Sequence, residues 1–201
     1  MKAITLAALG GIEQLQINEL PTPKIKEGEV LVQVKAISIN PVDVKTRIGS
    51  GGISGRLKDI HPVILGWDIA GIVSASASPL FKEGDEVFGM VNFPGHGQAY
   101  AEYVAAPAAH LVLKPNNISF EDAAAATLAA LTAWQAFHLH ANLKKGDKVL
   151  IHAASGGVGH FAVQLAKAAG AYVIGTSSAA NKDFVLSLGA DEQIDYKAVR
   201  F

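Results

Sequence analysis

The run Gly146-Asp147-Lys148-Val149-Leu150-Ile151-His152-Ala153-Ala154-Ser155-Gly156-Gly157-Val158-Gly159 restricts the possible fold more than any other stretch of the chain. A buried strand over 148–152 enters a tight glycine turn, and an alanine-rich helix over 157–169 follows. Ala154-x-Gly156-x-x-Gly159 is the dinucleotide fingerprint with alanine in the first glycine place. The spacing has a physical cause. A pyrophosphate must approach backbone N–H groups at a helix N-terminus, where partial positive charge accumulates. Gly156 and Gly157 put no Cβ in that path, and Gly159 lets helix and strand pack closely. A glycine turn without a ligand is the plainer alternative, and the flanking strand and helix argue against it. The turn's expected cofactor contacts are Ser155, Gly156, Gly157, Val158 and Gly159.

Beyond this helix, 171–175 reads as a second strand, about 180–188 as a helix stopped by Gly189, and 192–195 as a third strand. A complete Rossmann sheet has about six strands. These three make its first half, so the chain is expected to be the N-terminal portion of a longer protein. Ser119-Phe120-Glu121-Asp122 reads as a capping box with aspartate for the usual glutamate, opening a long Ala/Leu helix. Before it the texture differs. Val30, Val32 and Val34 alternate with Leu31, Gln33 and Lys35, and further strands are expected at 3–9, 15–19, 68–75, 85–90, 99–105 and 111–113. Pro21-Thr22-Pro23, Gly49-Ser50-Gly51-Gly52 and Pro94-Gly95-His96-Gly97 break them up, as in a small barrel. The expected division is a β-rich domain at 1–118 and a partial nucleotide-binding α/β domain at 119–201.

Half of the residues are hydrophobic and the net charge is −1, so no electrostatic attraction to nucleic acid or an anionic membrane is expected. The absence of cysteine excludes disulfides and thiolate metal sites. The most apolar stretch, 123–137, is too short and polar to span a bilayer, and a cytoplasmic location is the default expectation.

Gly146-Asp147, Leu150, Ala154-Ser155-Gly156-Gly157-x-Gly159, Gln164 and Lys167 together resemble the signature of the zinc-independent quinone oxidoreductase branch of the medium-chain dehydrogenase/reductase superfamily. The resemblance extends over nearly the whole chain. It implies a GroES-like β-barrel domain followed by a Rossmann domain, and a homodimer for the full-length protein. Zinc alcohol dehydrogenases of that superfamily carry a cysteine just after the strand that here ends at Ile39-Asn40, and Gly-His-Glu where this chain has Gly66-Trp67-Asp68. Their four-cysteine lobe is missing as well. Without those ligands no zinc can act as Lewis acid on a developing alkoxide, so ordinary alcohol oxidation is disfavoured. Quinones and conjugated enones or enals need less polarisation and are the expected substrates. A short-chain dehydrogenase is not indicated, because none of Tyr100, Tyr103, Tyr172 and Tyr196 has a lysine four residues on.

Asn40-Pro41-Val42-Asp43 matches the zinc-free family's Asn-x-x-Asp. By resemblance Asn40 faces the nicotinamide and Asp43 orients the local loop or the substrate; a plain turn after a strand is the alternative. Thr132 matches a threonine that reaches the cofactor in relatives, or is a helix hydroxyl bonded to its own backbone. NAD enzymes place an acid about 20 residues beyond the glycines to bind the ribose 2′-hydroxyl. Here that place holds Thr176-Ser177-Ser178, with no acid before Asp183. Hydroxyls and Lys182 suit a 2′-phosphate, and Lys182 and Tyr196 align with phosphate-side residues of the family. The expected cofactor is NADP(H), bound through Ser177, Ser178, Lys182 and Tyr196. Two other readings stay open: a non-catalytic NADPH-binding or structural module, and an enoyl reductase of fatty-acid or polyketide type.

Overall fold

The computed structural model describes residues 1–57 and 59–199. The chain divides into two compact units, Met1–Leu128 and Ala129–Phe201.

The first unit is strand-rich. Its strands are β1 (Lys2–Leu6), β2 (Leu15–Glu19), β3 (Glu29–Ile37), β4 (Val63–Ile64), β5 (Asp68–Ser76), β6 (Glu86–Met90), β7 (Tyr103–Pro107) and β8 (Val112–Leu113). They form a three-stranded sheet in the order β2-β1-β4 and a five-stranded sheet in the order β7-β3-β5-β6-β8. The expected GroES-like strand domain is present, but among the described residues its ladders remain two sheets and do not close into one barrel. An isolated bridge pairs Ala3 of β1 with Ala101, two residues before β7. That bridge also shows why the strand expected over 99–105 is shorter. Ile4 N–H donates to Tyr100 O (2.8 Å) and Tyr100 N–H to Leu65 O (3.0 Å), so this stretch serves the smaller sheet before β7 joins β3. The core beneath is Val30, Val32, Leu65, Ile69, Val73, Val87 and Val104, all almost fully excluded from water.

Two short helices interrupt the strands: α1 (Pro41–Arg47) and α2 (Ser54–Leu57). The long helix α3 (Phe120–Gln135) starts where the Ser119 motif predicts. Ser119 Oγ accepts from Asp122 N–H at 3.0 Å and donates to Asp122 Oδ2 at 3.0 Å. The aspartate side chain, one methylene shorter than glutamate, pairs with the hydroxyl of the cap residue. Ala123 and Ala124 at the start of α3 pack on Ala70 of β5.

The second unit has a parallel sheet, β9 (Lys148–Ile151), β10 (Tyr172–Ser177) and β11 (Glu192–Asp195), in the order β11-β10-β9. Helices α4 (Gly159–Ala168) and α5 (Lys182–Ser187) follow the first two strands. This is the expected first half of a Rossmann sheet. Helix α4 starts two residues later than predicted, because the turn continues through Val158, where no side chain caps the helix. Ala133 and Phe137 pack with Ile151, Val163, Val173 and Val185 to form this unit's core.

Candidate functional site

The candidates for the phosphate end of the nucleotide, Ser155, Gly156, Gly157, Val158, Gly159, Ser177, Ser178, Lys182 and Tyr196, lie in the second unit, in the turns at the carboxyl ends of its parallel strands. Register pairs Ile151 with Gly175 and Ser177 with Asp195, so the turns after β9, β10 and β11 emerge at the same end of the sheet. Ligands of open α/β sheets bind at that end. The glycine turn is fixed from below by Thr176, which is buried. Ala153 N–H donates to Thr176 Oγ1 at 3.2 Å, and Ala154 N–H to Thr176 O at 2.9 Å. Ala153 adopts φ 50°, the left-handed conformation that reverses the chain.

The three glycines have different functions. Gly159 is a packing residue: a Cβ there would lie 2.1 Å from Ala153 O and 2.8 Å from Ala154 Cα. At Gly156 the same carbonyl would be 3.1 Å away. A Cβ on Gly157 would meet no protein atom within 4 Å. The turn is therefore crowded on its strand side and open at Gly157, where first-turn amides of α4 lack carbonyl partners within the helix. That suits an approaching pyrophosphate.

The turn after β10 supplies the other half of the candidate site. Asn181 Nδ2 donates to Ser155 Oγ (3.1 Å) and lies 3.4 Å from Ser178 Oγ, tying the two turns together. Sequence reasoning missed Asn181, although it stands within the stretch read for cofactor choice. Ser178 is half-buried, Lys182 is exposed at the start of α5, and Tyr196 is exposed just after β11. Ser177 differs from its expected role. It is 1% exposed, its Oγ donates to Ser178 O (3.1 Å) and accepts from Gln193 Nε2 (3.0 Å). An inward hydroxyl so engaged braces the strand end and has its one donor committed within the protein. The acid closing β11, Asp195, accepts from Lys197 N–H at 3.0 Å and so caps its own turn. Asp183 is exposed on α5. Thr132 lies on the exposed face of α3 beside buried Ala133.

Asn40 and Asp43 lie in the first unit, and instead of a simple turn they open α1. Asn40 is the N-cap, Pro41 the first helical residue, and Asp43 completes a capping box. Asp43 Oδ2 accepts from Asn40 N–H at 2.6 Å. Asp43 is 2% exposed, and burial raises its carboxyl pKa from 3.8 to about 6. The bond from Asn40 opposes that shift, and the nearby Asp68 charge adds to it. Asp68, fully buried at the start of β5, is raised chiefly by burial as well. Its Oδ2 accepts from Asn40 Nδ2 (2.8 Å) and Leu128 N–H (3.3 Å). Burial, followed by the nearby Asp43 and Asp68 carboxylates, holds the Tyr100 hydroxyl pKa well above the usual phenol value. Asp68 and Tyr100 were not read as site residues. The signal available for Asp68 was its place in Gly66-Trp67-Asp68, one residue after the position of a zinc-binding histidine in metal-dependent relatives. Among the described residues no group of three His, Cys, Asp or Glu side chains could hold a metal ion.

Two family sequence models match the chain: that described as the alcohol dehydrogenase GroES-like domain over residues 26–116, and that described as zinc-binding dehydrogenase over 157–201. In this order the two models match the domains of the medium-chain dehydrogenase/reductase superfamily. It is 43% identical to a spinach protein named quinone-oxidoreductase homolog, chloroplastic, over 94% of this chain and 58% of that protein. It is 36% identical to an Arabidopsis thaliana NADPH-dependent alkenal/one oxidoreductase over 98% of this chain and 52% of that protein. The solved quinone oxidoreductase of Coxiella burnetii superposes with a TM-score of 0.92 at 43% identity, covering all of this chain and 64% of that one. The chain thus spans between half and two thirds of the length of these relatives. No helix among the described residues is long and apolar enough to cross a membrane.

Proposed function

We propose that the full-length protein containing this chain is a zinc-independent oxidoreductase that uses NADP(H) to reduce quinones or conjugated enones and enals. The observation that carries the cofactor choice is the turn after β10: Asn181 ties Ser178 to Ser155 of the glycine turn, Lys182 follows it, and no carboxylate stands where a ribose-binding acid would be. A lysine ammonium and a hydroxyl attract a 2′-phosphate that an acid would repel. The names of the spinach and Arabidopsis relatives support the substrate class.

In this reading the open side of the turn at Gly157 admits the pyrophosphate, and the amides of Gly157, Val158 and Gly159 hold it. Ser155 is fixed by Asn181, and Ser178, Lys182 and Tyr196 surround the 2′-phosphate. Asn40 and Thr132 serve the nicotinamide end, and Asp43 fixes the loop that carries Asn40. The nicotinamide, when bound, supplies the hydride. The protein supplies position and exclusion of water, the larger share of such catalysis. No metal step is required, since the place of the zinc-binding Gly-His-Glu is taken by Gly66-Trp67-Asp68.

Calorimetric titration of the full-length protein with NADPH and NADH tests the reading. NADPH is expected to bind at least about tenfold more tightly, a difference of roughly 1.4 kcal/mol, and Lys182→Glu to erase the preference. Equal affinities in the unmodified protein would contradict it.

A further inference from the structure

Asn181 is an exposed residue outside the core, yet its amide ties together two turns of the nucleotide site. Its Nδ2 donates to Ser155 Oγ at 3.1 Å, across twenty-six residues of sequence, and to Ser178 Oγ at 3.4 Å. A primary amide nitrogen carries two hydrogens, and here both are directed at hydroxyl oxygens. The consequence lies with the two serines.

A serine hydroxyl has one proton to give and two lone pairs that accept. An unrestrained one commonly commits its proton to a nearby backbone carbonyl, as Ser177 does to Ser178 O at 3.1 Å. Ser155 and Ser178 do not. Each accepts from the Asn181 amide, and neither hydroxyl donates to another group among the described residues. The amide therefore holds both oxygens and leaves both protons for a ligand. Ser155 is half-buried at the start of the glycine turn, Ser178 is half-buried just after β10, and exposed Lys182 follows Asn181 directly. Two O–H donors and a lysine ammonium match a group that only accepts. A doubly ionised phosphate monoester is such a group, with three strong acceptor oxygens. It can take the two serine protons on separate oxygens. A ribose hydroxyl has a single oxygen for both and a proton of its own to place.

We infer that Asn181 is a positioning residue that makes Ser155 and Ser178 a pair of donors for the 2′-phosphate, and that it sets cofactor choice through them. The inference rests on the NADP(H) reading above. It adds Ser155 to the groups that meet the phosphate and names the residue that orients both hydroxyls. Every group involved belongs to the second unit.

The test uses the full-length protein and two nucleotides that differ only in the 2′-phosphate, 2′,5′-ADP and 5′-AMP, titrated by calorimetry. The unmodified protein should bind 2′,5′-ADP at least about tenfold more tightly. Asn181→Ala should lower that ratio about fivefold, the loss expected for one net hydrogen bond. It should leave 5′-AMP affinity unchanged, which a general loosening of the turns would not. The same substitution is then made in a Ser155→Ala/Ser178→Ala background, where Lys182 still favours the 2′-phosphate. There Asn181→Ala should have no further effect, because the hydroxyls through which it acts are gone. A second fivefold loss in that background would overturn the inference, since the amide would then be contacting the phosphate directly. An unchanged ratio in the single Asn181→Ala variant would also overturn it and leave the NADP(H) reading standing. Equal binding of the two nucleotides by the unmodified protein would defeat that reading and the inference with it.

Discussion

A Cβ on Gly159 would sit 2.1 Å from Ala153 O, whereas one on Gly157 would meet no protein atom within 4 Å. Two substitutions of identical chemistry should therefore separate fold from function. Gly159→Ala forces the turn off the strand and should cost about 1–3 kcal/mol, the usual range for overpacking, seen as a lower Tm. Gly157→Ala should leave Tm unchanged or slightly raised, because alanine restricts the unfolded chain. It should nevertheless weaken NADPH binding at least about tenfold, measured by titration, because its methyl group occupies the pyrophosphate's path. Ser177 belongs at this scale as well. Its type and position matched a phosphate contact, but side-chain direction alternates along a strand, and Gln193 on β11 holds the hydroxyl inside. That partner is sixteen residues away in sequence and had no local signal.

At the scale of elements, the bounds of β2 and β11 were read to the residue: Leu15 and Ile17 alternate with polar neighbours in β2, and the helix stop at Gly189 leaves β11 the next place for a strand. Helix α1 was not. Asn40-Pro41-Val42-Asp43 was read as a site motif with a plain turn as the alternative, yet asparagine, proline and an aspartate three positions after the cap are also what opens a helix. Only the packing decides between them, since Val42-Asp43-Val44 has little helical propensity of its own. The stretch 99–105 failed for a related reason: its composition is strand-like, but half of it pairs with a different sheet.

The capping box of α1 also carries a pH dependence. The Asp43 carboxyl rises from 3.8 to about 6 on folding. A raised pKa means that the folded state holds the proton more tightly. The stabilisation is full below about pH 4 and is lost as pH rises through 6, on the order of 3 kcal/mol over the window. The groups facing Asp43 are the Asn40 N–H, the Asp68 carboxyl and the Tyr100 hydroxyl, and Asp68 is shifted in the same direction. Denaturant melts between pH 4 and 7 should show the decline, and Asp43→Asn should flatten it. A variant with the same slope would show that the buried proton lies elsewhere.

Across the whole molecule, the two textures read in the sequence correspond to real differences in architecture: antiparallel sheets before α3 and a parallel one after it. The glycine fingerprint was legible because a backbone constraint fixes both residue type and spacing. The Asn40–Asp68 pair was not, because it joins residues twenty-eight positions apart through a single side-chain bond. The central proposal at this scale is chemical: the full-length protein, with Gly66-Trp67-Asp68 where zinc-dependent relatives carry Gly-His-Glu, would transfer hydride without a metal. Its most direct test is NADPH oxidation by a simple quinone or an enone, followed in the full-length protein before and after exhaustive chelation. The account predicts an unchanged rate and no stoichiometric zinc by elemental analysis. A rate abolished by chelation and restored by added zinc would contradict it.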